Sequence, residues 1–107
     1  MTLQEKCVQD FQNEVIGIAR DIEESAREGK IAEYFDEPLD VKITIGGDLR
    51  YQSVEIAVAL GGPNIYVDTS EGGVRGYWAG DQYFKRLDRY TLNKIDCYFE
   101  EYYTSCR

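Results

Sequence analysis

The chain has 107 residues, 20 of them acidic against 12 Lys and Arg, with no His, giving a formal charge of −8 at neutral pH. Such a length makes one domain with a modest core, expected to span residues 1–107. The acidic balance opposes direct binding to nucleic acid or anionic lipid, because its field repels phosphate, and the absence of imidazole removes the Ser/His and Cys/His forms of nucleophilic catalysis.

Thr2 and Glu5 stand in capping-box spacing and open a long amphipathic helix. Along it Val8, Phe11, Val15, Ile18, Ile22 and Ala26 recur in steps of three and four and line one face, with Gly29 placed as the C-cap. Glu23, Glu24 and Glu28 crowd its C-terminal turns, where the helix dipole prefers cations. Ile31 to Phe35 makes one loose helical turn, and Pro38 ends it.

Leu39, Val41, Ile43 and Ile45 then alternate with polar residues, as in a strand with one buried face. After the Gly46-Gly47-Asp48 turn, a second strand sets Val54, Ile56, Val58 and Leu60 to one side. Gly61-Gly62-Pro63-Asn64 is the next turn, Ile65 to Asp68 a third strand, Ser70 to Gly73 a turn, and Val74 to Ala79 a fourth strand. Turns this short join antiparallel neighbours. A second long helix starts at Asp88 or Thr91 and runs to about Tyr103, with Leu92, Ile95, Phe99 and Tyr102 inward. The expected fold is α+β, in the order α-β-β-β-β-α: a four-stranded antiparallel meander with both helices on one face and the other face open.

No apolar run approaches the ~20 residues of a membrane helix. Residues 1–6 lack the apolar block of a signal peptide, so the expected compartment is the cytoplasm, with no membrane association. Cys7, Cys97 and Cys106 are odd in number and include no Cys-x-x-Cys, which fits reduced thiols. A zinc site would have to recruit carboxylates. Asp68-Thr69-Ser70-Glu71 and Asp36 to Asp40 do not match EF-hand spacing, and no glycine pair fits a phosphate loop. No metal and no cofactor is expected.

The acid is concentrated. Eight acids lie between Asp21 and Asp40 against Arg27 and Lys30. Two surfaces follow as candidates for holding a basic protein: Glu23, Glu24, Glu28, Glu33, Asp36 and Glu37, and a side face of the last helix with Asp96, Glu100, Glu101 and Tyr103. Tyr77 and Trp78 must point to opposite sides of their strand, so one of them, taken as Tyr77, adds an exposed aromatic. Aromatics anchor and acids steer toward Arg and Lys.

The run Leu60-Gly61-Gly62-Pro63-Asn64-Ile65-Tyr66-Val67-Asp68-Thr69, with Gly76-Tyr77-Trp78, Ile95-Asp96 and Phe99-Glu100-Glu101-Tyr102-Tyr103, resembles small uncharacterised proteins of clostridial and other Gram-positive genomes, phages and mobile elements. That group implies no activity for any residue. In size and acidity the chain is also similar to anti-CRISPR proteins, which implies a non-enzymatic acidic inhibitor. Its carboxylates would fill the groove in which a basic partner, such as a Cas effector, holds nucleic acid. The alternative expectation is a small structural or regulatory module that self-associates through its sheet, as a homodimer.

Overall fold

The computed structural model describes residues 2–106. Helix α1, Leu3–Arg27, starts at the expected box: Thr2 Oγ1 accepts from the Glu5 N–H at 3.1 Å and Glu5 Oε2 accepts from the Thr2 N–H at 3.4 Å. Gly29, at φ +72°, follows its C-cap. Its buried stripe is Phe11, Val15, Ala19, Ile22 and Ala26, with Ile18 half-buried beside it. A single turn, α2, spans Ile31–Tyr34, as its sequence suggested.

Five strands follow: β1 Asp40–Ile45, β2 Tyr51–Ala59, β3 Asn64–Asp68, β4 Gly73–Trp78 and β5 Asp81–Arg86. They form one antiparallel sheet in the order β1-β2-β3-β4-β5. Helix α3, Arg89–Ser105, closes the chain. The class is α+β as expected, but the meander has five strands, not four.

The missed strand has a physical explanation. Tyr83 and Phe84 are adjacent, so they face opposite sides of the sheet, and each is flanked by polar residues. Tyr83 packs on the core, whereas the Phe84 ring lies beneath the Arg75 guanidinium on the other side. No apolar alternation is left to read. The turn before it is a two-residue hairpin, with Trp78 paired to Asp81 and both Ala79 (φ +51°) and Gly80 (φ +86°) left-handed. That is the primed twist hairpins prefer, here without the usual Asn-Gly or Asp-Gly signature.

The helices cover one sheet face: α1 lies over β4 and β5, and α3 over β2. The register aligns Val41, Ile56, Val67 and Val74 across four strands, and Ile56, Val67 and Val74 are fully buried beneath the helices. Helix α1 approaches β4 where there is no side chain: a Cβ on Gly76 would stand 2.7 Å from both Phe11 Cε1 and Val15 Cγ2. Phe11 also meets Trp78, ring to ring at 6.3 Å, so Trp78 takes the core side and Tyr77 the open side.

The second strand departs from strict alternation. Its pairing with β3 shifts between Ala57 and Ala59, a bulge that sets Ala59 opposite Ile65 and leaves Leu60 exposed.

Candidate partner-binding surface

The first acidic group is built on the end of α1, on α2 and on the segment leading to β1. Glu23 does not belong to its free surface, since its Oε2 accepts the backbone N–H of Asp88 at 3.0 Å and ties α1 to the start of α3. Glu28 is paired with Lys30 at 3.4 Å, an exposed contact of small energetic value. Glu24, Glu33, Asp36 and Glu37 are exposed and make no ion pair or side-chain hydrogen bond to any described residue.

The second group divides differently. Asp96 is half-buried and accepts the phenol O–H of Tyr51 at 2.6 Å. Tyr103 is half-buried as well, and its O–H donates to the Leu49 carbonyl at 2.9 Å. Together Asp96 and Tyr103 bolt the β1–β2 hairpin to α3. Their face of the helix is therefore turned to the protein's own sheet. Glu100 borders it and lines a hollow with Leu49, Arg50, Tyr51 and Thr104.

Burial raises the Tyr51 phenol pKa far above the ordinary 10.0; the bond to Asp96 adds to this, and the Glu100 charge acts the same way. Glu101 is exposed and unpaired. Tyr102, expected inward, is 50% exposed. Its place in the stripe is taken by the half-buried Tyr98 and Tyr103, because α3 leans toward the hairpin.

The segments that carry the two acidic groups meet at an aromatic contact. Phe35, just past α2, packs edge-on against Phe99 of α3 at 5.7 Å; Tyr34 touches Phe35 and Tyr98 touches Phe99, each at 4.9 Å. Asp36 and Glu37 follow Phe35 in the chain, and Glu100, Glu101 and Tyr102 follow Phe99. The segments that carry the two acidic groups are thus joined through one pair of rings. Sequence reasoning missed Tyr102 here, since a helical period alone does not say which way a helix leans.

Tyr77 lies elsewhere, on the open sheet face, where its ring meets Tyr66 edge-on at 6.1 Å. In the next row Arg75 sits 4.9 Å above the Phe84 ring, is bound through Nη2 to Glu71 Oε2 at 2.6 Å, and donates to Gln82 at 3.1 Å. That face mixes Asp40, Glu55 and Asp68 with Lys42, Arg75 and Arg86, so it is close to neutral. In the β3–β4 turn, Asp68 Oδ1 accepts from the Ser70 N–H, the Ser70 hydroxyl and the Glu71 N–H, which accounts for that acid as turn chemistry.

Charge is consequently segregated by layer. Residues 1–37 hold ten acids against four bases, whereas residues 38–87, which form the sheet, hold six against five. Among the described residues no three His, Cys, Asp or Glu side chains are grouped to hold a metal ion, and no helix is long and apolar enough to cross a membrane.

The arrangement defines an α+β class of small protein, a five-stranded meander with an acidic helical layer on one side. No protein-family model, curated protein or solved structure matches the chain.

Proposed function

We propose that the protein is a non-enzymatic binding module whose acidic helical layer docks in a basic groove of a protein partner, in the manner of an inhibitor that displaces nucleic acid. A Cas effector is one partner of that chemistry. The observation that carries this reading is the set of exposed carboxylates left without intramolecular partners, Glu24, Glu33, Asp36, Glu37 and Glu101, gathered on one layer while the sheet stays near neutral. Unpaired surface acids stay hydrated at modest cost in water, and a basic groove would find them already concentrated, which speeds encounter and sets orientation. Tyr102 supplies an aromatic anchor beside them. Tyr77 belongs to the opposite face and is not part of this surface.

The test is recovery of a tagged copy from a Gram-positive host that carries Cas effectors, washed at rising salt. A nucleic-acid-binding protein that elutes as salt increases, and is not recovered with the E33K/E37K variant, is the expected result. Partner binding unchanged by salt and by that double reversal would overturn the reading.

A further inference from the structure

The exposed aliphatic surface is concentrated at one sheet edge. Among the described residues the large aliphatic side chains left exposed are Leu3, Leu39, Ile45, Leu49 and Leu60, and all but Leu3 flank the ends of β1. Leu39 and Leu60 lie at the end where Asp40 pairs with Ala57; Ile45 and Leu49 lie at the hairpin end. Strand β1 is an edge of the sheet, so its outward N–H and C=O groups have no partner strand. Val41 and Ile43 are only half-buried although they face the core side. The other edge, β5, leaves no large apolar side chain exposed, its Tyr83 and Phe84 being half-buried.

We propose that two copies of this chain pair antiparallel through β1, about a two-fold axis at Val41, to form one continuous ten-stranded sheet. Residues directly opposed in an antiparallel ladder share a sheet face, so the axis must fall on a residue. At Val41 it sets Asp40 against Lys42 of the second copy, twice, on the open face. On the core side it sets Val41 against itself and brings Leu39, in the bend just before β1, beside Ile43 of the second copy, twice. An axis at Lys42 would instead oppose two lysines. One at Ile43 would oppose Lys42 to Thr44 and run into the register shift between Thr44 and Ile45. Pro38, which has no N–H, ends the ladder just beyond Leu39.

Charge match and apolar match select the same register. The interface is isologous and adds strand to strand. Its axis stands normal to the sheet, so both helical layers lie on the same side and two acidic surfaces face one way. A partner with two basic sites would then be held bivalently.

Sedimentation velocity of the full chain over rising concentration tests this, with a thermal melt of each variant to establish that it folds. The parent should shift from 12.3 kDa toward twice that mass. Single reversals place like charges opposite each other twice, so D40K and K42D should each weaken self-association about tenfold or more. The double reversal D40K/K42D should restore it to within about threefold of the parent. K42D also sets an acid opposite Glu55 within its own chain, whereas D40K faces Ala57 and is the cleaner variant. A parent that stays at 12.3 kDa throughout, a dimer indifferent to either single reversal, or a folded double variant that stays monomeric would each overturn the pairing. Self-association and salt-sensitive partner capture are separate readouts, so failure of one leaves the other standing.

Discussion

Tyr51, the first residue of β2, donates its phenol O–H to Asp96 in the middle of α3 at 2.6 Å, across 45 positions of sequence. Next to it, Tyr103 donates to the Leu49 carbonyl in the β1–β2 turn. These two bonds hold a long hairpin against α3, while the main sheet contacts of α1 are with β4 and β5.

Tyr51→Phe leaves Asp96 half-buried without its donor, and should lower unfolding free energy by about 1–2 kcal/mol in denaturant titration. Burial first, and the Asp96 carboxylate second, raise the Tyr51 pKa. A raised native pKa contributes stability that is whole below the unfolded phenol value of 10.0 and is lost as pH rises above it. Stability should therefore fall in strong alkali, and Tyr51→Phe should flatten that fall. Ultraviolet titration should show part of the tyrosine ionisation displaced to higher pH and appearing as the chain unfolds.

Asp88 caps α3, accepting the Thr91 N–H at 2.7 Å. Its contacts with Thr91 lower its carboxyl pKa, and the nearby Arg27 charge acts in the same direction. A lowered native pKa contributes stability that is full above the unfolded value near 4 and is lost as pH falls through the native one. Asp88→Ala should cost about 1 kcal/mol at pH 7 and less at pH 2. Asp88→Asn, which still accepts the bond, should stay close to the parent and lose the acid dependence.

Gly76→Val should be among the most damaging single substitutions. The new side chain would meet Phe11 and Val15 at a contact already closed, so α1 must lift from β4. A loss of about 2 kcal/mol or more is expected from overpacking, read as a lowered melting temperature.

Binding and stability should separate cleanly. Tyr103→Phe should lower the melting temperature and leave affinity for a basic partner unchanged, since its hydroxyl serves the hairpin. The E33K/E37K double reversal should do the opposite, because both side chains are exposed and unpaired.

By itself the sequence determined the elements with strong local signals. The Thr2–Glu5 box, the apolar steps from Phe11 to Ala26, the glycine turns and the alternation of β1 and β3 are written in neighbouring residues, where propensity and period act. It determined the acidity and the −8 charge outright. What only the tertiary structure decided depends on partners far apart in the chain. Strand β5 exists because Tyr83 finds the core and Phe84 finds Arg75, one on each side of the sheet, and no period within six residues records that. Glu23, Asp96 and Tyr103 look like free surface groups on a helical projection, yet each is engaged by a residue 45 to 65 positions away. A helix's period names its faces; only the packing of α3 against the β1–β2 hairpin decides which face meets water.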